Sequence, residues 1–139
     1  MTDSSEMDRF PPRLGEQLPE RRRVMTQRVI SAYAEASGDH NPIHLDLDYA
    51  KKAGLPATIA HGLLTLGTAC AGIESWAAGE AWMSRVSCRF SAPVPAGEEL
   101  ACTALVSGAT EDSATLDLSA LTSTGERALT KAKVELRAF

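Results

Sequence analysis

Between Ile59 and Ala78 the chain carries a single charged side chain, Glu74. Ile59, Leu63, Leu64, Leu66, Ala69, Cys70, Ile73 and Trp76 fall on most of the circumference of a helix drawn through this stretch. A helix so apolar all round has to be buried on nearly every side. Gly62, Gly67, Ala71 and Gly72 are small, so neighbouring backbone can approach closely. Only strand signals follow, near 81–91, 98–108, 113–123 and 127–137. Leu116, Leu118, Ala120 and Thr122 alternate with Asp117, Ser119 and Leu121, and Val134 and Leu136 alternate with Lys133, Glu135 and Arg137. A period of two with one wet face means an antiparallel sheet. Turns are expected at Pro93–Gly97, Gly108–Asp112 and Thr124–Glu126. One long buried helix with four or five antiparallel strands is an α+β layout, and its natural packing wraps the sheet around the helix. Sheet edges need cover, so a dimer joining two such sheets edge to edge is expected.

Ahead of the helix the signals are shorter. Residues 1–12 are polar, end in Pro11-Pro12 and read as a mobile N-terminal tail, leaving 13–139 as a single domain. A strand is expected at Arg21–Met25. Thr26 can cap a helix to about Ala36, with Val29, Ile30, Tyr33 and Ala36 on its buried face and Gly38 at its end. Asp46 or Asp48 can cap a short turn of helix at about 47–52, ended by Gly54.

The chemistry lies between these elements, in Ser37-Gly-Asp39-His40-Asn41-Pro42-Ile43-His44 and in Ala60-His61-Gly62-Leu63. Proline disfavours helix at its own site and at the residue before it. The first segment is therefore expected as a bent loop on which Asp39 and His44 converge. A carboxylate and an imidazole sharing one water are the minimum for general acid–base work. Gly62 falls at the start of the long helix, where backbone N–H groups lack internal partners and carry partial positive charge. A residue without a side chain there lets a carbonyl oxygen approach an amide donor. Base, acid and oxyanion donor together suit proton removal beside a thioester carbonyl.

Taken together, Ser37-Gly-Asp-His-Asn-Pro-Ile-His44 and Ala60-His-Gly-Leu-Leu64 resemble the hydratase motif of the MaoC-like family. That family comprises (R)-specific enoyl-CoA hydratases and (3R)-hydroxyacyl-thioester dehydratases of the hotdog fold. The resemblance runs from about Arg13 to Leu136 and includes Arg89-Phe-Ser-Ala-Pro-Val-Pro-Ala-Gly97. In size and layout the chain is similar to the single-hotdog dehydratase subunits of long-chain fatty-acid elongation. The resemblance implies a lyase that hydrates trans-2-enoyl thioesters reversibly, linked to coenzyme A or to an acyl-carrier protein. It implies Asp39 and His44 as the catalytic pair and the Gly62 N–H as donor to the thioester carbonyl. Asn41, His61 and Cys70 are the implied supporting and substrate-binding positions. Asn41 matches the asparagine that braces the loop, and His61 matches a histidine of structural character. Cys70 stands where a serine often orients the catalytic acid. A thiol is a weaker donor, and Thr68 is the candidate substitute.

Other readings fit these residues less well. A non-catalytic or partner-dependent acyl-binding subunit lacks the acid–base residues that this chain retains. A hotdog thioesterase wants a carboxylate on the central helix, where only Glu74 is available, late in the helix. His40 and His44 have metal spacing on a helix, but Pro42 intervenes, so no metal is expected. The sequence holds no GxGxxG or Walker pattern, so no nucleotide cofactor is expected. Arg21–Arg23, Arg85, Arg89, Lys131 and Lys133 read as surface charge, with phosphate contact as the minority reading. A net charge of −4 opposes nucleic acid and anionic membranes. Three cysteines at no paired spacing, no apolar leader and no membrane-length apolar run point to the cytoplasm. The expected partner is a second hotdog subunit, in a homodimer or heterodimer.

Overall fold

The computed structural model describes residues 10–139. The expected tail falls mostly outside them. Of its last three residues, Phe10 packs against the core and Pro12 is buried, so the packed chain starts before Arg13.

The elements run β1 (Arg21–Val24), α1 (Gln27–Ser37), α2 (Pro42–Leu45), α3 (Leu47–Lys52), α4 (Gly62–Ala77), β2 (Ala81–Phe90), β3 (Glu99–Ala109), β4 (Ser113–Leu121) and β5 (Leu129–Ala138). The five strands form one antiparallel sheet in the order β1-β3-β4-β5-β2. This is the α+β layout read from the sequence, with α4 packed on the sheet. Leu116, Leu118 and Ala120 of β4 and Val134 and Leu136 of β5 point into the core with Ile73 and Trp76 of α4. Among the described residues, no helix is long and apolar enough to cross a membrane.

Local chemistry explains the helix ends. The Thr26 hydroxyl accepts from Val29 N–H, and Gly38 closes α1 at φ 78° with its N–H on Ala34 O. The buried face of α1 is Ile30 and Ala34, with Val29 and Tyr33 half-buried, whereas Ala36 is exposed. Ala34 lies one turn from Ile30, and Ala36 lies round the side of that stripe. Asp46 caps α3 by accepting from Tyr49 N–H.

Two expectations need correction. The bent loop is in part a helical turn. Asn41 is its N-cap, extended at ψ 126°, and Pro42 is its first residue. Proline is favoured there, since its missing N–H would have had no intrahelical partner. His44 therefore sits on a short helix. The long helix, moreover, is not buried all round in this chain. Thr65, Ala69, Cys70, Ile73, Trp76 and Ala77 face the core, while Leu63, Gly67, Ala71 and Glu74 are exposed. Its small residues mark that open side, and Arg21 crosses it with its Cδ where a Gly72 Cβ would stand 2.9 Å away.

Candidate active site

Three segments meet at the N-terminus of α4. Ala60 N–H donates to Val94 O at 2.8 Å and Ala96 N–H to Thr58 O at 2.8 Å, tying the approach to α4 onto the 93–97 turn. Gln27 of α1 ties the same stretch to α2. Its Nε2 donates to His44 O at 2.9 Å, and its Oε1 accepts from Thr58 Oγ1 at 2.6 Å. The chain between Ser37 and His44 is held by its own polar side chains. Asp39 Oδ1 accepts from Asn41 N–H at 3.2 Å, and Asn41 Oδ1 accepts from Ile43 N–H at 3.1 Å. Asn41 thus acts on the backbone and is exposed.

Asp39, His44 and His61 converge, with one carboxylate oxygen and one nitrogen from each ring all within 4.8 Å of one another. Asp39 is exposed, while His44 and His61 are buried. His44 Nδ1 lies 2.7 Å from Ile59 O. A carbonyl oxygen only accepts, so Nδ1 carries the hydrogen and the neutral ring keeps its lone pair on Nε2. By the same logic His61 Nε2 donates to Asp39 O at 3.0 Å. The two imidazoles stack at 3.7 Å with 23° between their planes, and Tyr33 lies against His61 at 4.7 Å. A metal ion sits in the plane of each imidazole about 2 Å from its nitrogen. Rings stacked this closely and this nearly parallel share no such point, so the trio does not fit a metal.

His61 is also the N-cap residue of α4 and gives it no side-chain cap. The N–H of Gly62 makes no hydrogen bond among the described residues. Gly62 is needed for close approach: a Cβ there would lie 2.9 Å from the Phe90 ring. Beside it opens a cleft of about 340 Å³, lined mainly by apolar side chains including Leu55, Ile59, Phe90 and Val94, with Thr65 in its wall. Gly62 belongs to this lining. Ile59 of the same lining holds His44 Nδ1 through its carbonyl, while Asp39 and His44 are not themselves part of the lining.

Cys70 is not brought to this cluster. It lies eight residues beyond Gly62, about 12 Å along the helix axis, and is buried in the core. Burial pushes its thiol up to about 11, helped by nearby Cys88 and Glu74. Thr68 does not replace it, since its hydroxyl donates to Leu64 O at 2.8 Å. Thr65 and Phe90 were not singled out in the sequence. Their signal was position: Thr65 is three residues past Gly62, on the same helix face, and Phe90 ends the strand before the 93–97 turn.

The family model of the MaoC-like domain matches residues 10–126. The chain is similar to 3-hydroxyacyl-thioester dehydratase X of Mycobacterium tuberculosis, 40% identical over 86 residues that cover 60% of this chain and 30% of that protein. It is also similar to the (R)-specific enoyl-CoA hydratase of Rhodospirillum rubrum, 32% identical over 88 residues that cover 62% of this chain and 60% of that protein. The chain thus spans less than two thirds of the length of these curated relatives. Among solved structures it resembles the R-hydratase PhaJ1 of Pseudomonas aeruginosa, with a TM-score of 0.83 and 25% identity over 91% of this chain and 81% of that one.

Proposed function

The chain belongs to the MaoC-like domain family, and from that premise we propose that it is a hydro-lyase interconverting trans-2-enoyl and (3R)-3-hydroxyacyl thioesters. One observation carries the reading. A carboxylate and an imidazole with a free Nε2 converge on His61, the residue before a helix-end amide that makes no hydrogen bond among the described residues. The thioester carbonyl oxygen accepts from Gly62 N–H. In hydration, Asp39 and His44 hold a water, whose oxygen bonds to the β-carbon as its proton passes to the pair. The π electrons move towards the carbonyl, and the negative charge gathers on its oxygen. The α-carbon then takes a proton, and dehydration is the reverse. One oriented amide is worth roughly 3 kcal/mol to such an oxyanion. Asp39 and His44 act as one unit, with no division of acid and base between them.

The acyl group is carried by coenzyme A or by a carrier protein. A second hotdog subunit is proposed along β2, a ten-residue edge strand on which Trp82, Val86 and Phe90 are exposed. The free cysteines fit a reducing compartment, the cytoplasm.

The test is to incubate the purified chain with crotonyl-CoA, following enoyl absorbance and free thiol together. Loss of the enoyl signal at constant thiol is expected. Thiol release would make the chain a thioesterase instead. Inertness relieved only by a second hotdog protein would make it a partner-dependent subunit.

A further inference from the structure

Two threonines on α4 differ in what their hydroxyls do. Thr68 Oγ1 is spent on the carbonyl of Leu64, four residues back, as helical threonines often are. Thr65 Oγ1 makes no hydrogen bond among the described residues, although the residue is 3% exposed. Buried side-chain polar atoms without a partner are costly, and among the described residues the only such atom sealed from solvent is His61 Nδ1. The Thr65 hydroxyl is therefore unpaired but not fully sealed, and the space that Thr65 borders is the cleft beside Gly62. The other hydroxyl in that lining, on Ser91, is already paired with Thr130 Oγ1 at 2.7 Å. An otherwise apolar wall thus presents one unspent hydroxyl.

Its place on the helix gives it a meaning. Thr65 is three residues beyond Gly62 on the same face, about 4.5 Å further along the axis. We propose that Thr65 is a specificity-determining residue. Its hydroxyl selects acyl thioesters that carry an oxygen, carbonyl or hydroxyl, on the fourth or fifth carbon. With the thioester oxygen on Gly62 N–H, an acyl chain laid along the cleft brings those carbons past Thr65. A plain alkyl chain there covers the hydroxyl and leaves it unpaired, whereas an oxygenated chain pairs it. Sites built to bond a substrate oxygen discriminate against analogues that lack it, because their own polar group is then stranded. This inference rests on the reading of the cleft and of Gly62 given above.

The test is binding, so it does not depend on turnover. Hexanoyl-CoA, 4-oxohexanoyl-CoA and 5-oxohexanoyl-CoA are titrated calorimetrically into the wild-type chain, Thr65→Val and Thr65→Ser. Valine keeps the shape and removes the hydroxyl; serine keeps the hydroxyl. Wild type and T65S are expected to bind one of the oxo ligands about tenfold tighter than hexanoyl-CoA, and T65V to lose that preference by binding hexanoyl-CoA better and the oxo ligand worse. Equal affinities in wild type, or no binding of any of the three, overturn the proposal. So does a T65V that weakens all three equally, which would place the hydroxyl on the shared pantetheine arm. Hydration of crotonyl-CoA by T65V reports on the hydro-lyase reading separately: activity there with no oxo preference sinks this inference alone.

Discussion

The two ends of α4 border clefts of nearly equal size, about 340 Å³ at the N-terminal end and about 330 Å³ at the C-terminal end. The second is lined by Glu74, Trp82, Met83, Leu136 and Phe139. Judged by volume and apolar lining, either could hold an acyl chain. They differ in what converges on them. At the N-terminus the helix presents amide donors and a glycine that lets Phe90 close over it, and its N-cap residue His61 stacks on His44 and bonds Asp39 O. At the C-terminus the helix presents carbonyls, and its cap, Ala78 at φ 49°, returns an N–H to Glu74 O. A carbonyl-rich end repels an oxyanion. Space is therefore not what makes the site; the polarity of the helix end and the groups aimed at it are.

The comparison breaks most visibly at His44. Replacing it by alanine removes the free Nε2 and is expected to lower kcat by roughly 10³-fold in the crotonyl-CoA assay, within the usual range for an acid–base group. Gly62→Ala comes next. The added methyl meets the Phe90 ring, displaces the amide, and is expected to lower kcat by about 10²-fold and thermal stability by about 1–3 kcal/mol. The double variant G62A with Phe90→Ala restores stability in part, which calorimetry reads directly. At the opposite end, Phe139→Ala is expected to leave kcat unchanged; a loss comparable to that of G62A would make the second cleft part of the site.

Smaller effects sharpen the role of burial. Cys70 and Cys102 are both raised to about 11 from an ordinary value of 9.0, chiefly by desolvation. The folded state thus holds these protons more tightly than the unfolded one. The linked stability is complete below pH 9 and declines as pH rises through 9 towards about 11. Denaturant titrations across that range, compared with Cys70→Ala, check the sign. The smallest change is at Lys131, which holds φ 49° in β5. Glycine relieves that conformation, and Lys131→Gly is expected to gain a few tenths to about 1 kcal/mol in melting experiments.

Much of this was legible in the chain. Period two in 116–122 and 133–137 announced the sheet, and Thr26 and Asp46 announced caps, because these are local rules with local partners. Pro42 misled because proline forbids a helix interior yet favours its first position, and only Asn41 as the cap decides between the two. The open side of α4 was hidden because apolar and small residues look alike whether they face this core or a second subunit. Strand order, β1-β3-β4-β5-β2, is a long-range property that no local pattern carries. In the site, Asp39, His44 and Gly62 were visible as a motif, while Thr65 became visible only when its hydroxyl could be contrasted with that of Thr68.

The central claim is that Asp39 and His44 work on the same water as one unit. Its most direct test is a kinetic cycle on crotonyl-CoA with Asp39→Asn, His44→Ala and the double variant, each verified as folded by circular dichroism. Each single change is expected to cost roughly 10³-fold in kcat and the double change little more, as for residues that act together. A single variant with near-wild-type kcat, or losses that multiply in the double, would contradict it.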